Sequence, residues 1–351
     1  MENQINHYES RLTSRPVTAE YRGKKWQSTL WLSALLPLIF TTHPVSGEEP
    51  LRALPAIEAL ELDEKKVKLG QRLFSDPRLS RDNTISCASC HNLEKGGVDS
   101  LQHSIGIDGQ TGDINAPTIF NTAYNFRLFW DGRANSLEEQ VSGPVHHPKE
   151  MGSSWEEILE KLTQDEKLLQ DFAAVFDEEL APEHIESVIA EFQRSLITPS
   201  RFDRYLRGDE TAITENELLG YKKFKSYGCI ACHQGVNVGG NMFQKFGVMG
   251  DYFDGADAPA KVDLGRFNVT GREADKHVFK VPGLRNIALT APYFHNGSVK
   301  TLPEAIDVMF KFQLGRPAPE EDKALIVAFL KTLTGETLEK PTEPVQAENK
   351  Q

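Results

Sequence analysis

The sequence predicts an all-α protein of two domains with long irregular loops, and three observations predict it. Apolar residues recur at helical spacing along most of the chain, with little strand alternation. Each half carries the same short motif, Cys-x-x-Cys-His, at Cys87–His91 and again at Cys229–His233, a domain's length apart. The stretches between the periodic segments, above all 92–125 and 234–283, are rich in Gly, Asn, Asp and Pro. Long loops in a compact domain usually carry function. With 351 residues, 39% hydrophobic and 26% charged, the composition is globular and not disordered. A formal net charge of −12 argues against nucleic acid as a partner, because phosphate contacts need Lys and Arg. It favours basic proteins through charge steering.

Taken in order, the chain opens with Arg22, Lys24 and Lys25, an apolar run from Leu30 to Phe40, and the small residues Val45, Ser46 and Gly47. This is the order of a secretory signal peptide over residues 1–47 and implies export. Pro37 interrupts the run, which is shorter than the ~20 residues a spanning helix needs. An uncleaved anchor is the alternative. Asp63 then caps a helix through Phe74, with Val67, Gly70 and Phe74 along one side. Ser154-x-x-Glu157 and Thr214-x-x-Glu217 have the spacing of capping boxes. The second opens a helix that runs into the second Cys-His motif. Ile185, Val188, Ile189, Phe192 and Leu196 follow the 3.6-residue period. Pro303–Phe312 and Glu320–Leu333 complete the helical set. Thr198–Arg201 is the best linker, dividing the chain into domains at 48–199 and 200–337. A polar tail, 338–351, follows and is expected to be disordered.

Four cysteines are present, Cys87, Cys90, Cys229 and Cys232, and each pair is followed directly by a histidine, His91 or His233. Cys-x-x-Cys-His is the attachment signature of c-type haem: two thioethers tether the macrocycle and the adjacent histidine reaches the iron. A thioredoxin-like redox pair or half a zinc site does not require that histidine. Finding it twice predicts two covalently bound haems. The two domains are then cytochrome c-like, and each macrocycle supplies an apolar core to a loop-rich segment.

The sixth iron ligands decide the activity, since an electron carrier saturates both irons and a peroxidase leaves one open or able to open. For the second haem the candidates are Met242, Met249, His277, His295 and Met309. Met309 lies in a predicted helix, and a thioether ligand raises the potential. It is equally placed to be a core residue between Ile306 and Phe312. For the first haem the candidates are His103, His146, His147 and Met151, with Glu150 as a possible acid–base group. Spacing alone does not choose among them.

Over roughly residues 58–337 the chain resembles the bacterial di-haem cytochrome c peroxidases. The segments that carry the resemblance are Cys87–Leu93 with Gly96-Gly97, Asn115–Thr118, Phe129-Trp130-Asp131-Gly132-Arg133 and Leu137–Gln140. Further on they are Gly143-Pro144, Glu150-Met151, Gly228–His233, Phe279–Pro282, Leu284–Asn286, Pro292-Tyr293-Phe294-His295 and Gln313–Gly315. The resemblance implies a low-potential, peroxide-reducing haem on His91 and a high-potential, electron-accepting haem on His233 and Met309. It implies that Gln140 and Glu150 are distal active-site residues, and that Trp130 lies between the haems. It further implies that Asn115, Thr290 and Pro292 bind a calcium ion, and that the protein is periplasmic and homodimeric. One departure stands out. Where the best-known members carry a histidine that ligates the first iron in the resting state, this chain has Ile107, which cannot ligate. His103, four residues earlier, is the possible substitute; without one, the first haem is open from the start.

Reduction of H2O2 to two waters needs two electrons and two protons. The resemblance makes Glu150 the group that moves a proton between the peroxide oxygens, with Gln140 orienting peroxide by its amide. Trp130 is then the conductor between the haems, and a small c-type cytochrome or blue-copper protein the electron donor. Two other functions compete. One is the related group that oxidises tryptophans in a precursor protein, whose high-potential ligand is typically Tyr where this chain has Met309. The other is a di-haem electron carrier with both irons closed.

Overall fold

The computed structural model describes residues 49–56, 59–254 and 260–338. The predicted signal segment lies outside them, and so does the predicted tail apart from Leu338. Among the described residues, no helix is long and apolar enough to cross a membrane.

The described residues form one compact body, mostly helical. Its helices are α1 (Glu64–Phe74), α2 (Cys87–Cys90), α3 (Leu137–His146), α4 (Trp155–Leu162), α5 (Glu166–Ala173) and α6 (Pro182–Ser195), followed by α7 (Arg201–Leu206), α8 (Glu215–Ser226), α9 (Phe267–Thr270), α10 (Leu302–Val308) and α11 (Glu320–Lys331). The loop-rich stretch 234–283 contains strand structure that the sequence reading did not anticipate. A short antiparallel pair, β1 (Phe243–Lys245) with β2 (Val278–Lys280), sets Phe243 opposite Lys280. Three-residue strands leave too little alternation to be recognised from sequence.

The predicted caps are observed, with one modification. Asp63 accepts from the Lys65 and Lys66 amides at the start of α1. Thr214 and Glu217 form the full reciprocal box of α8. Ser154 caps α4, but Glu157 turns away to bond Ser153 and Lys161, so only one arm of that box exists. The helix expected over Pro303–Phe312 stops at Val308 and continues as a π-turn, Met309–Gln313. Such turns widen a helix locally and concentrate at functional sites.

Two apolar cores organise the body. One gathers Leu69, Leu73, Leu79, Val145, Ile158, Leu168, Ile185 and Val188 from the first half. The other gathers Phe202, Tyr221, Phe224, Ile306, Phe310 and Phe329 from the second, together with Leu51 from the N-terminal strap. Each core is built on one close helix crossing: α1 against α6, and α8 against α11. A glycine makes each crossing possible. A Cβ on Gly70 would lie 1.9 Å from the Val188 carbonyl oxygen, and one on Gly220 would lie 1.9 Å from that of Leu325.

The halves also share an irregular unit. Asn121 and Asn286, at φ +60° and +62°, each begin a short helical turn. Phe129 and Phe294 follow at φ +65° and +70°, a rare conformation for a bulky residue. Isolated bridges Leu128–Ala134 and Tyr293–Val299 close the two turns. Ser136 and Thr301 then cap α3 and α10. Phe129-Trp130-Asp131-Gly132 and Phe294-His295-Asn296-Gly297 are therefore one structural element used twice. The φ angles make the repeat plain, and the sequence carries it at one constant offset, where Pro117/Pro282, Asn121/Asn286, Ala123/Ala288, Phe129/Phe294, Gly132/Gly297 and Leu137/Leu302 coincide.

The segment read as a linker, Thr198–Arg201, is a buried joint and not a solvent-exposed tether. Thr198 Oγ1 accepts from both repeat asparagines, Asn121 at 2.8 Å and Asn286 at 2.9 Å. Ser200 is fully buried and bonds Asp203. Asp203 in turn holds Arg285 through two 2.8 Å contacts and accepts the Leu54 amide at 2.7 Å. Burial pushes the Asp203 carboxyl up, but Arg285 and the amide donors outweigh it and hold the group below its ordinary value.

Gly70→Ala and Gly220→Ala test the two crossings. Alanine is ~1 kcal/mol better than glycine inside a helix on propensity alone. Overpacking costs about 1–3 kcal/mol and should win here. Each variant is expected to melt below the unmutated protein in calorimetry, and a raised melting temperature would show that the helices separate freely.

Candidate functional site: two cofactor cradles

In the first half the sequence Ser86-Cys87-Ala88-Ser89-Cys90 folds as a single helical turn, capped reciprocally by Ser86 and Ser89. His91 ends that turn. Its Nδ1 lies 3.2 Å from the Gly97 carbonyl, the arrangement that fixes a ring tautomer and leaves Nε2 for a metal. Burial lowers the His91 pKa, partly offset by that carbonyl, so the ring is kept neutral and ligand-ready.

Glu150 is brought to this motif. Residues 147–153 fold back on the end of α3, with the Met151 amide on the Pro144 carbonyl and the Ser153 amide on that of Val145. Cys90 registers the result: burial raises its thiol pKa most, and the nearby carboxylates of Asp99 and Glu150 add to it against a hydrogen bond with Ser104. Burial likewise raises the Glu150 carboxyl above its ordinary value, against the opposing pull of His147 and Arg133. Its Oε1 is 3.4 Å from His147 Nδ1. Gln140 is half-buried on α3, one turn before Pro144. The helix lies close against Phe129, because Gly143 leaves no room for a Cβ beside that ring.

The competing first-site ligands find other surroundings. Met151 is buried in the apolar core and cannot be a ligand there. His146 packs edge-on against Trp155, and His147 pairs with Glu150. Ile107 is fully buried, its amide bonded to the Glu150 carbonyl at 3.0 Å. His103 keeps a buried Nε2 with no hydrogen-bond partner. Its neighbour Ser104 is the residue that reaches Cys90.

The second motif borders a cavity of about 290 Å³. Cys229, Cys232, His233 and Met309 all line it, with Trp130, Phe246, Phe279 and Leu330 supplying apolar walls. His233 is deeply buried, which lowers its pKa to about 4. Its Nδ1 finds no well-formed partner, although the Val238 and Pro282 carbonyls face it. Met309 continues the face of α10 that carries Leu302, Ala305 and Ile306, all of which line the cavity, and it opens the π-turn. The other second-site candidates do not share its role. Met249 is 63% exposed, and His277 is stacked on Phe253 with Nδ1 2.8 Å from the Asp263 carbonyl. Met242 is half-buried beyond the cavity lining. His295 does line the cavity, but its Nε2 is 2.7 Å from Asp263 Oδ1.

On the lining of the second motif's cavity, the Trp130 indole donates to the Asn115 carbonyl at 3.0 Å, and the Asn115 amide donates to the His295 carbonyl at 2.8 Å. Trp130 and His295 occupy equivalent places in the repeated element and meet edge-to-face at 6.4 Å. The sequence reading weighed His295 only as an iron ligand. The signal for its true place was the constant offset that pairs Phe129 with Phe294 and Gly132 with Gly297. Asn115, Thr290 and Pro292 also line this cavity.

A family model described as di-haem cytochrome c peroxidase matches residues 64–211. The chain is 49% identical over 296 residues to a cytochrome c peroxidase of Escherichia coli, covering 84% of this chain and 63% of that protein's length. It is 46% identical over 309 residues to a cytochrome c551 peroxidase of Nitrosomonas europaea, covering 87% and 90%. A crystal structure of a MauG-like protein associated with microbial copper homeostasis superposes with a TM-score of 0.70 at 33% identity, covering 83% and 94%. The chain belongs to the di-haem cytochrome c peroxidase family. That membership makes it an oxidoreductase of the peroxidase class and implies two c-type haems. The residues fit that cofactor: each motif presents two thiols and a buried, neutral imidazole, and the second faces an apolar cavity. The chain spans 63% of the length of the E. coli relative.

Cys87→Ala/Cys90→Ala and Cys229→Ala/Cys232→Ala should each leave one covalent haem per chain by pyridine haemochrome assay. Retention of two in either variant would remove that motif from haem attachment.

Proposed function

We propose that the protein reduces H2O2 to water with electrons from a small c-type cytochrome or blue-copper protein. The electrons enter at the His233/Met309 haem and pass to the His91 haem, one in each of two cytochrome c-like domains divided near Pro199. One observation carries the reading: the repeated element is chemically asymmetric. Counted from the shared caps Ser136 and Thr301, Met309 in the second half corresponds to Pro144 in the first, and Ala305 corresponds to Gln140. One copy thus offers a soft sulfur ligand. The other offers an imide that cannot ligate, an amide one turn away, and Glu150 nearby. An electron carrier needs no such difference. Met309, where a tyrosine would favour the tryptophan-oxidising relatives, supports the peroxidase.

The haems supply one-electron redox chemistry at iron; the remaining tasks fall to side chains. Consuming H2O2, two electrons and two protons to give two waters requires a proton to move from one peroxide oxygen to the other. Glu150 takes that role, because burial matches its pKa to a group that must both accept and return a proton. Gln140 orients peroxide through its amide. Trp130 conducts between the two cradles, fixed by its bond to Asn115. Asn115, Thr290 and Pro292 form the calcium site. Asn115 is suited to it, because its side-chain nitrogen donates to the Leu101 and Gln102 carbonyls while its Oδ1 meets no donor among the described residues. Export to the periplasm and homodimerisation complete the proposal, the first from the charge and apolar order of residues 22–47.

Glu150→Gln should slow single-turnover peroxide cleavage by about 10²–10⁴-fold, the usual range for a lost acid–base group, with both haems retained. The raised pKa gives a sign. Cleavage needs the ionised carboxylate, so the unmutated rate should fall as the pH drops through a value above the ordinary ~4.3 of Glu. Glu150→Gln should abolish that limb, and an unchanged rate would eliminate the residue as proton carrier.

Ile107 is locked in the core, so electron paramagnetic resonance of the fully oxidised protein should show a high-spin first haem before any reduction. His103→Ala should leave that signal unaltered. A low-spin signal that turns high-spin in His103→Ala would instead make His103 the sixth ligand. Two low-spin haems that stay closed after half-reduction would mean an electron carrier.

A further inference from the structure

Lys280 is a buried cation that no carboxylate among the described residues neutralises. The residue is 7% exposed, on β2 between Phe279 and Val281, and it lines the cavity of the second motif. Among the described residues, no carboxylate lies within 4 Å of its ammonium and no acceptor receives a hydrogen bond from it. Burial alone accounts for a pKa lowered to about 8. The other basic residues lining this cavity are already accounted for. Arg285 is committed to Asp203, His295 to Asp263, and Lys245 is exposed at the rim. Lys and Arg are almost never fully buried unless paired. An unpaired cation on an otherwise apolar wall therefore calls for an anion from the molecule that fills the cavity.

We infer that Lys280 is the counter-ion of a propionate carboxylate on the haem of the His233/Met309 cradle, and that this pairing helps set the high potential of that haem. The chemistry of the macrocycle supports the match. Its thioether-forming vinyl groups face the cysteines, and its two carboxylates lie on the opposite edge. Lys280 is not on the turn that carries Cys229 and Cys232. It is on the wall shared with Trp130, whose carbonyl accepts the Lys280 amide at 2.9 Å. A fixed positive charge there disfavours the more positive, oxidised iron and so raises the potential. The backbone hydrogen bond to Trp130 also ties this charge to the residue proposed to conduct between the cradles. Lys280 is thus a positioning and tuning residue. It touches the cofactor and takes no part in peroxide cleavage.

The inference rests on the two-haem reading, and the test separates the two. Pyridine haemochrome assay first counts covalent haems in the unmutated protein, Lys280→Met and Lys280→Arg; fewer than two in the unmutated protein would overturn the reading itself. With two haems present, spectroelectrochemical titration follows. Lys280→Met should shift the reduction equilibrium of the second haem at least tenfold toward the oxidised form, about 59 mV for one electron. Lys280→Arg, which keeps the charge, should stay within threefold of the unmutated value. An unmoved potential in Lys280→Met, with both haems attached, overturns the inference and leaves the peroxidase reading intact. If Lys280→Met fails to retain the second haem, resonance Raman decides on the unmutated protein and Lys280→Arg. The propionate-bending band should shift when ammonium is exchanged for guanidinium, and an identical band would overturn the pairing.

Discussion

The buried Asp203–Arg285 ion pair is the constraint on which the arrangement of the second half depends. Its side chains are 0% and 1% exposed, so the pair is worthwhile only if every remaining valence is satisfied. Asp203 also accepts the amides of Leu54 and Ser200, and Arg285 donates to the carbonyls of Val236 and Arg52. Four stretches distant in sequence are thereby held at one point: the N-terminal strap, the start of α7, the loop after the second haem motif and the segment after β2. Arg285 is also part of the cavity lining, so the ion pair fixes the wall behind which the His233 cradle forms.

Next to this pair stands the joint at Thr198, where one hydroxyl receives both repeat asparagines. Each asparagine begins the turn that leads to a left-handed phenylalanine, and the side chain after each phenylalanine, Trp130 or His295, lines the second motif's cavity. Trp130 and His295 meet because two copies of one irregular element face each other across a shared hydrogen-bond donor and acceptor. The left-handed phenylalanines cost of order 1–3 kcal/mol each. The same strain appears in both copies, and it sets the Trp130 and His295 rings against one another.

Functional asymmetry is laid over this structural symmetry. The cores, glycine crossings, caps and turns recur, while the residues that meet the cofactor differ. Met309 stands against Pro144, Ala305 against Gln140, and His295 against Trp130. A duplicated scaffold can in this way hold one centre for storing an electron and another for handling protons. In the proposed scheme Lys280 adds charge to the first kind of centre, and Glu150, with its raised pKa, adds proton chemistry to the second.

The sequence by itself determined the class of cofactor, the number of sites and most helices. Covalent haem attachment needs residues adjacent in the chain, and capping and periodicity act within a few residues, so all three are written locally. It also supplied Glu150 and Met309, though only the likeness to a family set them apart from a surface carboxylate and a core methionine. Tertiary structure alone decided the rest. Met151 went to the core and Met309 to the cavity, because the loop after α3 packs into the first core whereas one face of α10 lines the second motif's cavity. The supposed linker became a buried joint, since Thr198 and Ser200 have partners more than seventy residues away or in the following helix. The place of His295 beside Trp130 and the unpaired charge of Lys280 depend on backbone angles and on burial by distant segments. Those quantities are set only when the chain closes on itself.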